Sequence, residues 1–156
     1  AGTNGFTFIR AYPIQAASGV AGPKLREGDR QVPEGIYGIE LLNPNSSYHL
    51  SLRVNYPNAF DREQAAKEPR NKLGGDIMIH GDARSVGCLA MGDEASEDFF
   101  VLAADTGIEN ITVILSPVDF REGKTVPADA KLTDWTASLY ETIRARLKDF
   151  SKEQKP

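Results

Sequence analysis

The chain has 156 residues, of which 40% are hydrophobic and 26% are charged with mixed sign, and its formal net charge is -4. This length suits one domain with its own core, and the composition excludes a disordered chain. The charge pattern lacks the basic stripe of a nucleic-acid binder, and no apolar run could cross a bilayer. We therefore predict one domain over residues 1–150 and a flexible tail over 151–156.

The first residues bear on where the protein is located, and the cysteine count limits the kinds of site it can contain. Residues 1–5 are small and polar, so no signal peptide is visible, and the protein is either cytoplasmic or begins after a removed leader. Cys88 is the single cysteine, which excludes a disulfide framework. With only two histidines besides, a zinc site built from Cys and His lacks ligands. Cys88 is therefore either an inert buried thiol or a reactive one.

The first half of the chain reads as β structure. Alternating side chains predict a strand over residues 6–10, and the Gly, Pro and charge content of 18–33 predicts a long loop. Two further β-type runs, 36–42 and 48–54, flank the turn-forming residues 43–45, which predicts a hairpin.

The middle of the chain contains the most informative segment. A short helix is predicted over 61–67, followed by an apolar strand over 76–80 that ends in His80. The next segment, 81–92, is a Gly-rich loop that holds Cys88.

The last third predicts two helices around one strand. Asp93 suits a helix N-cap, and the helix over 94–106 would place Phe99, Leu102 and Ala103 on one face. A buried-type strand follows at 111–115. A stripe at helical spacing indicates a packed C-terminal helix: Trp135, Leu139, Ile143, Leu147 and Phe150. The expected fold class is mainly β with flanking α-helices.

His80 and Cys88 together suggest covalent chemistry. A thiol needs a neighbouring base to act as a nucleophile near neutral pH, and imidazole is the side chain best suited to that role. Gly87 allows close approach of a substrate carbonyl, and the amides of Gly87 and Cys88 could bind a developing oxyanion. A buried core thiol and a structural histidine are the ordinary readings of each residue alone. Their conjunction in one short span favours chemistry.

Several alternatives concern the partners of the histidine. Asp76 and Asp82 lie near His80 in sequence, but neither is clearly placed to hold the ring, and the carbonyl of Gly81 is a plausible substitute. His49 is a competing base, although its mid-strand position suggests a solvated face. A metal-dependent hydrolase would have to use the two carboxylates beside His80.

Two motifs match a known family. Ile79-His80-Gly81, followed by Ser85-Val86-Gly87-Cys88-Leu89, resembles the His-Gly and Ser-x-Gly-Cys signature of the L,D-transpeptidase (YkuD-type) catalytic domain. Residues 22–37, here called the lead-in segment, also resemble that family, as does Tyr56-Pro57-Asn58. The similarity covers about residues 6–116.

The resemblance implies a β-sandwich-type catalytic domain with no metal or organic cofactor. Cys88 would attack a peptidoglycan stem peptide at diaminopimelate and form a thioester, with His80 as base and then acid. The carbonyl of Gly81 would hold the imidazole. Basic residues of the lead-in segment and of the Gly-rich loop 81–92, here called the catalytic loop, would bind the substrate together with Ser85: Lys24, Arg26, Arg30 and Arg84. The family works outside the cytoplasmic membrane, which implies a periplasmic or secreted protein.

Three departures from the usual pattern resemble a YafK-like subgroup. The spacing from His80 to Cys88 is short, Val86 stands where many members have a second histidine, and Ala90 stands where an arginine is common. That subgroup is associated with hydrolysis of murein peptide bonds, including release of a murein-linked lipoprotein. The expected activity is therefore acyl transfer, with an amidase or L,D-peptidase as the first alternative. A non-catalytic murein-binding module is the alternative from another class.

Overall fold

The computed structural model describes residues 5–150 and contains one curled, six-stranded sheet. The strands follow the spatial order β1-β5-β4-β3-β2-β6. Their bounds are β1 Ala16–Ala17, β2 Gly35–Ser46, β3 His49–Val54, β4 Met78–His80, β5 Leu89–Ala90 and β6 Thr112–Leu115. Three helices flank the sheet: α1 Ala59–Lys67, α2 Asp93–Thr106 and α3 Thr136–Leu147. The predicted fold class, mainly β with flanking helices, is confirmed.

The centre of the sheet brings the His80 and Cys88 motifs together. β4 pairs antiparallel with β3 and parallel with β5, with Ile79 opposite Leu89 and His80 opposite Ala90. Cys88 immediately precedes β5. The loop between β4 and β5 therefore leaves the sheet after His80 and returns at Cys88, so both residues lie at neighbouring strands.

The predicted hairpin exists, but its turn lies elsewhere. β2 continues through residues 43–45, and the chain reverses between Ser46 and His49, which are paired. A register shift between Asn43 and Ser46 accommodates this stretch. Such a bulge tolerates Pro44, which has no N–H to donate to the ladder. Residues 43–45 are therefore an irregularity of the strand, as their composition indicates, but they are not the chain reversal.

Two other predictions of local structure are wrong. Residues 6–10 form no strand, and their alternating side chains do not cover a sheet: Phe8 is 41% exposed and Ile9 is 78% exposed. Arg10 instead pairs with Glu94 and Asp98 on α2. A polar contact with a helix thus replaces the expected ladder.

The start of α2 also differs from the prediction. Gly92 is the N-cap, with φ of 81°, and Asp93 is the first helical residue. The carboxylate of Asp93 accepts a hydrogen bond from the amide of Asp82, 2.9 Å away, so it fastens the catalytic loop. Leu102 is 49% exposed, whereas Ala103 of the same predicted face is buried.

Two clusters of buried side chains hold the fold. The larger lies between the sheet, α2 and the lead-in segment, and it includes Tyr37, Leu52, Val54, Ile77 and Leu89. The second cluster packs α3 against the segment after β6 and includes Phe120, Leu139, Tyr140 and Ile143. The predicted stripe of the C-terminal helix is therefore a packing face. The predicted tail, 151–156, lies outside the described residues.

Candidate active site

His80 ends β4 with its imidazole buried and oriented. Its Nδ1 lies 2.5 Å from the carbonyl oxygen of Gly81. Because a carbonyl can only accept, Nδ1 carries the proton in this contact, and Nε2 of the neutral ring is left with its lone pair. The ring of Tyr48 packs against the imidazole of His80, with the two ring centroids 4.8 Å apart. The imidazole is therefore held in the tautomer that can accept a proton at Nε2.

Cys88 lies beside the start of β4 and is partly buried. Its Sγ is 3.4 Å from the amide nitrogen of Met78, which donates to it, and 3.6 Å from the carbonyl oxygen of Asp76. The thiol is thus held against the backbone of the strand that carries His80. Because Cys88 is only partly buried, it is not sealed in the interior.

The surroundings of Cys88 favour the neutral thiol in the unliganded protein. Burial raises its pKa above the ordinary value, and this effect outweighs the Met78 amide, which lowers the pKa. The charges nearby act in opposite directions, since Asp76 raises the pKa and Lys24 lowers it. A nucleophilic thiolate therefore requires removal of the proton by a base during the reaction.

The thiol and the imidazole do not form a hydrogen bond with each other in residues 5–150. Sγ contacts the β4 backbone, and the bond of His80 Nδ1 is to Gly81. Catalytic hydrogen bonds are commonly long in unliganded enzymes and tighten when substrate binds.

The loop that carries Cys88 is fastened by two serine hydroxyls. Ser85 Oγ accepts from the amide of Cys88 at 3.1 Å and donates to the carbonyl of the same residue. Ser18 Oγ accepts from the amide of Gly87 at 2.5 Å and donates to the carbonyl of Arg30 at 2.8 Å. The two amides predicted to bind an oxyanion are thus engaged by hydroxyls. Their role toward an oxyanion stays a prediction, and it requires those hydroxyls to yield to substrate.

The carboxylates near His80 do not orient its ring. Asp76 faces solvent, with its side chain 80% exposed, and contacts Arg53 at 3.3 Å. Asp82 accepts from the amide of Ala83 and lies 3.5 Å from Arg84. Within the described part of the chain, no group of three or more His, Cys, Asp or Glu side chains is placed to hold a metal ion. The competing base, His49, is exposed and lies 2.7 Å from Glu97 on α2.

The basic residues predicted to bind substrate lie in different environments. Lys24 is buried, and its Nζ is 2.5 Å from Asp29 Oδ1 and 3.0 Å from the carbonyl of Arg26. Arg26, Arg30 and Arg84 are exposed. Lys24 is therefore committed to the lead-in segment in this structure, and the substrate contacts of all four stay predictions.

The structure adds residues that the sequence did not indicate. Ser18 supports the catalytic loop from 69 positions away, and the amide of Met78 holds the thiol. Neither carries a local signal, because a serine in a loop and a backbone amide of a strand are ordinary features. Only the pairing of distant segments places them at the site.

The arrangement defines a cysteine and histidine site on adjacent parallel strands, at the edge of a Gly-rich loop. A family model described as the L,D-transpeptidase catalytic domain, YkuD, matches residues 5–119. That stretch is most of the chain and includes every residue of the site. The chain therefore belongs to the YkuD family of L,D-transpeptidase catalytic domains.

Curated relatives and solved structures resemble parts of the chain. The Escherichia coli (strain K12) protein named "Putative L,D-transpeptidase YafK" is 36% identical over 97 residues, which are 61% of this chain and 37% of that protein. The chain thus spans little more than a third of that relative. Two solved structures of the helical cell shape determining protein Pgp2 from Campylobacter jejuni also match. The K307A mutant is 28% identical with a TM-score of 0.47, covering 62% of this chain and 34% of that one. The other is 22% identical with a TM-score of 0.46, covering 85% and 59%.

In residues 5–150, none of the helices has the length and apolar character needed to cross a membrane.

Proposed function

We propose that this protein is a cysteine acyl-transfer enzyme that acts on peptidoglycan stem peptides at diaminopimelate, outside the cytoplasmic membrane. The observation that supports this most directly is the hydrogen bond from His80 Nδ1 to the Gly81 carbonyl, next to the strand that holds Cys88. It leaves Nε2 as a base on the same part of the sheet as a partly exposed thiol. Membership of the YkuD family, which acts on peptidoglycan peptides, supplies the substrate class.

The reaction proceeds in two balanced steps. The Cys88 proton passes to His80 Nε2 as sulfur attacks the peptide carbonyl carbon, and a tetrahedral intermediate forms. The C–N bond then breaks, the departing amine takes the proton from His80, and the acyl group remains on sulfur as a thioester. An incoming amine or water, deprotonated by His80, attacks the thioester and restores the thiol.

The molecule that attacks the thioester decides whether the reaction is transfer or hydrolysis. Attack by an amine makes a new peptide cross-link, and attack by water shortens or releases the peptide. Incubation with purified murein, followed by muropeptide analysis, distinguishes the two outcomes. New cross-links indicate transfer, whereas shortened stems or a released murein-linked lipoprotein indicate an amidase or L,D-peptidase. An unchanged muropeptide profile from folded protein would contradict both.

The first prediction concerns acylation of the thiol. A carbapenem should form a covalent adduct with the protein, visible as an increase in intact mass, and Cys88→Ala should form none. His80→Asn should slow adduct formation by about a hundredfold or more, because it removes the base. His49→Asn is the matched control and should react at the unsubstituted rate, since that ring faces Glu97 at the surface.

Two results would overturn the enzymatic proposal. One is the lack of any adduct in the folded, unsubstituted protein, which would favour a murein-binding module. The other is an equal reduction of the rate in His49→Asn and His80→Asn, which would show that His80 has no special role.

A further inference from the structure

A cavity of about 700 Å³ beside the lead-in segment is lined by four cations from three separate segments. Arg26 comes from the lead-in segment, Arg70 and Lys72 from the connection between α1 and β4, and Lys131 from the segment before α3. This concentration of positive charge stands out in a chain whose net charge is -4. Asp29 is the carboxylate that also lines the cavity.

Asp29 does not neutralise these cations, because its two oxygens are already engaged. Oδ1 accepts from Lys24 Nζ and from the amide of Gln31, and Oδ2 accepts from the amides of Leu25 and Arg26. Among residues 5–150, the side chains of Arg26, Lys72 and Lys131 form no ion pair or hydrogen bond. Their charges are therefore available to a ligand.

The backbone around the cavity is fixed in advance. The amide of Lys131 donates to the carbonyl of Ala21 at 2.8 Å, and the amide of Glu27 donates to the carbonyl of Lys72 at 2.9 Å. Arg70 is held at both ends of its guanidinium, by Glu68 at 2.7 Å and by the carbonyl of Leu25 at 3.0 Å. The three segments are thus tied to one another, so little ordering is needed when an anion binds.

Two observations relate the cavity to the part of the chain that holds the thiol. Gln31 lines it, and the carbonyl of Gln31 is the nearest group, at 3.8 Å, to the position that a Cβ of Gly87 would take. Asp76, whose carbonyl contacts Cys88 Sγ, lies four positions after Lys72. A fully extended chain of that length spans at most about 14 Å, which is also the span of an extended stem peptide of four residues.

We infer that this cavity binds free carboxylates of the murein stem peptide while Cys88 acts on it. The inference rests on the proposed function, because the substrate it names is the one proposed above. A diaminopimelate residue keeps a free carboxylate at the end of its side chain that lies outside the main peptide. Lys72 and Lys131 join the sequence-predicted Arg26 as the groups that recognise such a carboxylate, while Arg70, paired with Glu68, holds the cavity wall in place.

The test measures binding without turnover. Fluorescence anisotropy would give the Kd of Cys88→Ala protein for a labelled synthetic stem tetrapeptide, once with free carboxylates and once with these converted to primary amides. The amidated peptide should bind about tenfold more weakly for each charge-assisted hydrogen bond that amidation removes. Adding Lys72→Gln and Lys131→Gln should weaken binding of the free acid by about tenfold or more and leave the amidated peptide unchanged.

A charge-matched control distinguishes a specific site from a general effect of the protein's positive charge on binding. Lys67→Gln with Lys148→Gln removes two positive charges outside the cavity, and binding of the free acid should change by less than about twofold. The inference is overturned if both peptides bind equally well to the Cys88→Ala protein. It is also overturned if the control pair weakens binding as much as the cavity pair. The carbapenem adduct of the unsubstituted protein reports on Cys88 separately, so failure of the cavity proposal leaves the proposed chemistry standing.

Discussion

Gly81 is packed closely on the side where any other residue would carry its Cβ atom. A Cβ there would lie 2.5 Å from Asp93 Oδ1 and 2.9 Å from both His49 Cβ and the carbonyl oxygen of Tyr48. Two of these three atoms belong to the β2–β3 hairpin and one belongs to α2. The residue whose carbonyl orients His80 is therefore fixed by contacts that only glycine permits.

Gly81→Ala should accordingly impair both stability and reactivity. We expect the free energy of unfolding to fall by about 1–3 kcal/mol, because the backbone must move to relieve these contacts. Carbapenem acylation of Cys88 should slow, because the Gly81 carbonyl would move away from His80 Nδ1 and no longer orient the imidazole. Gly75→Ala is the matched control, since its nearest neighbour would be 3.9 Å away. Urea unfolding and intact mass measure the two effects, and equal behaviour of the two variants would contradict this account.

Residues of the site were predictable where their partners are close in sequence. The bond between His80 and Gly81 joins neighbours, and the return to Cys88 needs only one loop. Ser18 could not be predicted, because its contact with Gly87 depends on how β1 pairs with β5. The same holds for Lys72 and Lys131, whose approach to the lead-in segment depends on the tertiary fold.

Residues 22–34 of the lead-in segment form no helix or strand, and one carboxylate organises them. Burial by itself would raise the pKa of Asp29. The hydrogen bonds from Lys24 and from the amides of Arg26, Gln31 and Leu25 outweigh burial and leave the pKa below its ordinary value. The ion pair with Lys24 is largely shielded, with side-chain exposures of 12% for Asp29 and 5% for Lys24.

Asp29→Asn should therefore destabilise the protein by about 3 kcal/mol at neutral pH, because it leaves Lys24 buried without its counter-charge. The pKa of Asp29 is depressed in the folded state, so its contribution is present above the unfolded pKa of about 3.9 and is lost as the pH falls through the folded pKa. Urea unfolding at several pH values would show a smaller acid-induced loss in the variant. Asp134→Asn, at an exposed position, is the control and should change the stability by less than about 0.5 kcal/mol. An unchanged acid dependence in Asp29→Asn would contradict this assignment.

Helices and strands were predicted correctly where the hydrophobic pattern of the sequence matches the side chains that are buried. They were predicted wrongly where the patterned side chains are exposed. The α3 stripe buries Leu139 and Ile143, as helical spacing predicts. The strand expected at residues 6–10 fails because alternation predicts a strand only if a sheet edge is available. β1, at Ala16–Ala17, takes the place beside β5 instead. The order of the strands in the sheet, which decides such outcomes, is not encoded in any local pattern.

The whole molecule has two buried clusters, and their coupling decides whether residues 5–150 fold as one unit. Several contacts cross between them. Helix α1 takes part in both clusters, because its Ala65 lies in the first and its Phe60 packs edge-on against Trp135 in the second. Tyr140 also donates a hydrogen bond of 2.7 Å to Glu34 just before β2. Glu34 also accepts from the amide of Gly22 at 2.7 Å, so α3, the lead-in segment and the sheet share one buried carboxylate. We therefore predict that the two clusters unfold together, as parts of one domain.

Ile143→Ala tests that prediction, because Ile143 is fully buried in the second cluster and belongs to α3, whereas the first cluster contains Leu89 at the end of the catalytic loop. Removing its side chain should lower the free energy of unfolding by about 3 kcal/mol, whereas Val101→Ala at a position 57% exposed should change it by less than about 0.5 kcal/mol. Fluorescence of the single tryptophan, Trp135, reports on the second cluster, and far-UV circular dichroism reports on the whole chain. In one cooperative domain the two urea transitions coincide and move together in the variant. If the fluorescence transition alone moved to lower urea, α3 and its cluster would be a separate unit, and the cysteine site would belong to a smaller domain than the one predicted.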